Sequence, residues 1–465
     1  MGYLISSLPL IVTLLLGFIF ISKLGFRRGY MLLLPLMLWL PYIAPYPLHA
    51  VARFFHSEDI SLVELIILIP FGMLLLGKDK GLNPQAFPNM KWFWLFLAGG
   101  VISFLFGFLF HPLPDFNLDD GLSFFRQICL VSFALYYVVL NLINTPDAAE
   151  KSMIAMLIGS VILSVFIIGN IRPEVYIYSV GDALVGGSYL LPFDMRISIG
   201  GNSGSIYYLM IAILSLNLWL SGSTFAKRII GFACFSISFS ICILLATRAI
   251  WIISVPAIVF SVLISRMFCR ISYRKMIATI GIPLILVAGL FAARLFGEYM
   301  QDKASVMKSR EAILEEYTFN VRIQQYYELG PIVKENLFGV GFIEQYPLEI
   351  KQPHSLFLKL IVTTGIIGLV GYVGFMLYCI KYWYKTRFML FLEYRWMIVG
   401  AITNVCALFI IGPGYDILGR FNFHISFIFM CAVTTAAIQS AIKLRMRSYA
   451  SISNNKSATC SQSIE

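Results

Sequence analysis

The sequence predicts an all-α protein, a polytopic transmembrane helical bundle of about 12–13 spans with one large, partly helical loop on its outer side. Three observations predict it. Hydrophobic residues make up 59% of the 465 residues, charged residues only 13%, and mean hydropathy is +0.82, whereas soluble domains are about one-quarter charged. Apolar runs long enough to cross the hydrocarbon, for which a helix needs about 20 residues, recur along the whole chain. The roughly ten-residue alternating segments of a membrane barrel are absent.

The runs lie near 3–22, 30–47, 60–77, 92–110, 123–143, 152–170, 203–221, 228–246, 249–267, 275–293, 355–380, 395–412 and 421–442. The first has no basic segment before it and no small-residue cleavage site after it, so it reads as a retained span rather than a signal peptide. The second is broken by Pro35, Pro41, Pro45 and Pro47, and if it does not cross, the N-terminus changes side. With alternating spans, Lys23/Arg27/Arg28, Lys78/Lys80/Lys91, Lys227/Arg228, Arg266/Arg270/Arg274/Lys275, Lys381/Lys385/Arg387/Arg395 and Lys443/Arg445/Arg447 fall on one side. The positive-inside rule makes that side the cytoplasm, with the C-terminus in and the N-terminus out.

The same rule accounts for the net charge of +11, so no nucleic-acid partner is expected. Four regions follow: N-terminal helices over 1–293, a polar outer loop over 294–354, C-terminal helices over 355–442, and a Ser-, Asn- and Lys-containing tail over 443–465 expected to be disordered. Most of the eight cysteines, Cys129, Cys234, Cys242, Cys406 and Cys431 among them, lie inside apolar runs, and there is no CxxC or Cys/His cluster. Neither a disulfide framework, a metal site nor a cofactor is indicated.

Candidate chemistry collects on the outer side. Thr247-Arg248-Ala249 separates two spans with barely a turn, placing a guanidinium at the membrane surface. A planar fork there suits phosphate oxygens, although an interfacial arginine snorkelling to headgroups is the commoner case. In the loop, 306–329 has the period of an amphipathic helix ended by Gly330-Pro331, and Arg322 and Tyr326 share a face one turn apart. A solvated or salt-bridged arginine is the blander alternative.

Phe338-Gly339-Val340-Gly341 reads as a structural turn, because neither Walker spacing nor a following GK[ST] is present. His354 opens a span directly after the loop, where an imidazole is a natural proton acceptor at neutral pH. A helix-capping or hydrogen-bonding role is the default for a lone histidine. Asn202 caps a helix or binds a sugar, Arg172 and Arg196 add outward positive charge, and Gly365, Gly368 and Gly371 permit close helix packing.

In order and spacing these residues resemble the O-antigen polymerase and ligase superfamily. The resemblance rests on Thr247-Arg248-Ala249, Arg322 four residues before Tyr326, Leu337-Phe-Gly-Val-Gly341, and His354 opening a span that continues into Gly365-Ile-Ile-Gly-Leu369. It covers roughly 200–372. The family usually has Ser-Arg-Gly at the first motif and often His-Asn where this chain has His354-Ser355.

The resemblance implies a membrane glycosyltransferase of GT-C-like architecture in the bacterial inner membrane, acting on its periplasmic face. Its donor would be an undecaprenyl-diphosphate-linked oligosaccharide and its acceptor another glycan lipid, with a chain-length regulator as a further partner. Arg248 and Arg322 would hold the diphosphate and His354 would serve as base. Tyr326, Asn202 and Arg196 would line the substrate, and the transfer would invert the anomeric carbon without a metal. Polymerase and ligase differ only in acceptor, and the departures and extra span favour polymerase. A transporter or flippase of the same lipid-linked sugars would call for an internal repeat and charges deep in the spans. No repeat is present, and apart from Glu64 and His424 the span interiors read as almost uncharged.

Overall fold

The computed structural model describes residues 26–37, 62–76, 90–110, 121–122, 124–169, 201–244, 248–269, 271, 281, 321–341, 355–413, 418 and 421–461. These form α1 (Phe26–Met37), α2 (Leu62–Leu76), α3 (Met90–Phe110), a π-helical turn (Phe125–Leu130) running into α4 (Val131–Leu142), α5 (Pro146–Gly169) and α6 (Gly201–Ser221). They continue with α7 (Phe225–Leu244), α8 (Arg248–Cys269), α9 (Val321–Glu335), α10 (Leu356–Thr386), α11 (Arg395–Ile411) and α12 (Phe421–Ser461). No described residue lies in a strand.

Ten of the expected spans coincide with helices; those at 3–22 and, apart from Gly281, 275–293 lie outside the described residues, and α1 covers the start of the proline-broken one. Among the described residues six stretches are long and apolar enough to cross a membrane: Met90–Phe110, Phe125–Leu142, Phe225–Cys242, Leu356–Thr386, Leu392–Ile411 and His424–Ser448. The protein is therefore an all-α polytopic membrane protein.

α4 is buried on every face and is the axis of the bundle. Rings from three helices interlock around it, Phe93 at 5.2 Å from Tyr136 and 4.7 Å from Phe375, and Phe96 at 5.3 Å from Tyr372. α3 and α10 touch along their backbones: a Cβ on Gly99 would overlap the backbone of Gly368, and one on Gly371 that of Phe96. Where lipid is as apolar as leucine, such close contact supplies the association energy.

Polar side chains stitch the remaining helices. Asn217 Nδ2 donates to Ser261 Oγ at 2.7 Å between α6 and α8, and Asn404 Nδ2 to the Met210 carbonyl at 3.1 Å between α11 and α6. Glu64, fully buried in α2, pairs with Arg126 of the π turn at 2.6 Å. That pair corrects the expectation of nearly uncharged span interiors, since Arg126 sits inside an expected span.

Two further expectations are corrected. Gly330-Pro331 does not end its helix, because α9 continues to Glu335 with Pro331 inside it. Residues 448–461, expected to be disordered, are helical: α12 runs to Ser461, and neither Gly nor Pro interrupts 421–461.

Candidate functional site

The site is built around the start of α10. Ser355 is its N-cap, at φ −91° and ψ 130°, and its Oγ accepts from the Leu358 N–H. Fixing the first turn this way satisfies one of the donors that every helix start leaves open. The same hydroxyl lies 2.7 Å from the Tyr326 hydroxyl and 3.2 Å from the Gly412 carbonyl, while the Leu356 N–H donates to Gly412 O at 2.8 Å. Tyr326 O–H is also 2.8 Å from the Pro413 carbonyl. One buried serine, 3% exposed, therefore knots α9, the start of α10 and the end of α11.

Beneath this knot α10 is not continuous. At Gly365 the backbone turns to φ 68°, ψ −176°, a region open in practice to glycine alone. The helical hydrogen bonds lost there are replaced from one loop and one side chain. Val340 N–H donates to Val362 O at 2.9 Å, and Ile366 N–H donates to Leu337 O at 3.0 Å. Ser103 of α3 donates to Thr363 O at 2.6 Å and accepts from Gly341 N–H at 3.0 Å.

The replacements are needed because an unsatisfied backbone group within the bilayer costs several kcal/mol. Gly339 and Gly341, at φ +88° and +74°, let the loop lie against the break, the structural turn expected of Phe338–Gly341. A small apolar core of Leu329, Val340, Leu358 and Val362 holds α9 on the first half of α10.

The helix directions bring the other candidates to this end of the bundle. Ile206 near the start of α6 and Ile411 at the end of α11 line one small apolar cleft. Arg395, at the opposite end of α11, donates to the Phe268 carbonyl near the end of α8 at 3.1 Å. α8 thus begins where α11 ends, and its first residue is Arg248. Asn202 stands in the first turn of α6, and Arg322 one turn before Tyr326 on α9. For Arg248, Arg322 and Asn202 the structure describes the backbone. His354, the residue before Ser355, and Arg196 lie outside the described residues.

Sequence reasoning missed Ser103, the break at Gly365, and Lys359, a lysine one turn past Ser355 that is only 4% exposed. A lone serine or lysine in an apolar run carries no periodic signal; Gly365 was noticed, but for packing. Among the described residues no group of three or more His, Cys, Asp or Glu is placed to hold a metal.

Fold and site together define a class: a multi-pass helical membrane protein whose polar site sits at one end of the bundle, over a broken helix. A family model described as O-antigen ligase matches residues 232–373, from within α7 to the middle of α10. The match spans Arg248, Arg322, Tyr326, His354, Ser355 and Gly365, and it supports the O-antigen polymerase and ligase superfamily. No curated protein matches the chain.

Proposed function

We propose that this protein is a surface-polysaccharide polymerase. It transfers a glycan from an undecaprenyl-diphosphate carrier to a carrier-linked repeat unit at the periplasmic face of the inner membrane. The observation that carries the reading is the Tyr326–Ser355 contact at 2.7 Å. It ties the helix bearing Arg322 to the residue that follows His354, at the end of the bundle where Arg248 begins α8.

The acceptor hydroxyl attacks the anomeric carbon, forming a new glycosidic C–O bond while the C–O bond to the diphosphate breaks. The carrier diphosphate leaves with the bonding pair, and the hydroxyl proton passes to His354. Arg248 and Arg322 stabilise the negative charge that grows on the leaving oxygens, which fixed cationic donors do without reorganising. Direct displacement inverts the anomeric centre. Asn202 and Arg196 line the sugar, and Tyr326 holds the floor of the site.

Purified protein in liposomes, given only the carrier-linked repeat unit, should produce a ladder of chain lengths, and the His354→Ala and Arg248→Ala variants should not. A ladder from both folded variants would remove these residues from the mechanism. A second reading, ligation of the glycan to a lipid A core, is favoured by the match to a family known as O-antigen ligase. Product formed only when core acceptor is added would select it.

A further inference from the structure

We propose that the end of the bundle opposite Ser355 carries a binding site for the phosphate of an anionic phospholipid, built on the turn that joins α10 to α11. Three arginines, from the end of α10, the start of α11 and the middle of α12, meet at Phe388. The Arg387 guanidinium lies 4.4 Å from the Phe388 ring and 4.0 Å from that of Tyr384. Arg395 lies 5.1 Å from the Phe388 ring. Arg445 of α12 donates to the Phe388 carbonyl at 3.2 Å and sits 5.7 Å from the Phe391 ring.

Among the described residues neither Arg387 nor Arg445 is ion-paired with a carboxylate. Over 381–395 and 443–447 the chain places seven bases, Lys381, Lys385, Arg387, Arg395, Lys443, Arg445 and Arg447, against one acid, Glu393. Insertion topology explains basic residues on one side of a membrane. It does not require guanidiniums from separate helices to converge on one turn, nor to lie over aromatic rings.

The surroundings identify the occupant. Phe388, Met389, Phe391 and Leu392 are 54%, 43%, 51% and 48% exposed, and Met446 is 66% exposed. These large apolar side chains stand between the arginines at the end of three spans, the depth at which headgroups meet acyl chains. A ligand fitting both features has a phosphate for the planar forks and chains for the apolar rim. A free anion would use only the first.

The test is native mass spectrometry of the full-length protein in detergent, titrated with phosphatidylglycerol, with phosphatidylcholine, and with inorganic phosphate as competitor. Phosphatidylglycerol should be retained in preference to phosphatidylcholine. Arg387→Ala and Arg445→Ala should each weaken its retention by roughly fivefold, the contribution of one cation at a membrane surface. Lys151→Ala, which removes an exposed base already paired with Asp147, should leave retention unchanged.

Equal retention of both lipids, an equal loss in Lys151→Ala, or displacement by millimolar phosphate would each overturn the proposal. If the alanine variants do not fold, the unaltered protein decides it: retention that does not fall as ionic strength rises would refute a phosphate–guanidinium contact.

Discussion

Gly365→Ala tests the reasoning about the broken helix most directly. An alanine at φ 68°, ψ −176° occupies a region that costs about 1–3 kcal/mol for any residue with a Cβ. The new Cβ would also overlap the Phe338 carbonyl. Relieving the overlap pulls the loop away from the break and lengthens the Val340–Val362 and Ile366–Leu337 bonds. Each bond contributes about 0.5–1.5 kcal/mol, so the substitution should destabilise by about 2–6 kcal/mol.

Gly72→Ala is the matched control. It lies inside α2, and beyond its chain neighbours nothing stands within 4 Å of the added methyl. Removing a helical glycine there should stabilise by roughly 0.5–1 kcal/mol. Thermal unfolding followed by fluorescence-detected size exclusion in one detergent should lower the midpoint for Gly365→Ala and raise it slightly for Gly72→Ala. Unaltered unfolding of Gly365→Ala, or equal damage from both, would refute the account of the break.

Tyr326→Phe removes the hydroxyl shared by Ser355 and Pro413. It should cut the initial rate of transfer by about tenfold, the effect of roughly 1.4 kcal/mol on the barrier; an unchanged rate in folded protein would make the knot irrelevant to chemistry. Ser103→Ala takes a donor from Thr363 O and an acceptor from Gly341 N–H, and should destabilise by about 1–3 kcal/mol in the same unfolding assay. Glu64→Gln strips Arg126 of its charge partner inside the bundle, for an expected loss of about 3–5 kcal/mol. Adding Arg126→Gln should recover much of it, and strictly additive losses would argue against the pair. A periplasmic reporter fused after Lys308 should be active and one fused after Lys385 inactive; the reverse would invert the topology.

The spans were legible because burial in lipid demands long, uniformly apolar helices, which composition alone reveals. Tertiary hydrogen bonds were not. Nothing in the pattern around Ser103 says that its hydroxyl serves a carbonyl 260 residues away. Gly330-Pro331 misled because a terminator in an isolated helix is tolerated where flanking turns are packed, here by Leu329, Ile332 and Val333. Ser355 was legible only as a departure from a motif; its cap and its link to Tyr326 emerge when three segments are brought together.

The wiring beneath Ser355 also bears on how the protein is made. Its hydrogen bonds join residue 103 to 363, 341 to 103 and 355 to 412, so the floor stays incomplete until the chain has been synthesised past Gly412. While earlier helices enter the membrane one after another, the emerging protein holds only separate pieces of the site. The working surface closes late, as a single event in which the last spans lock the first ones into place.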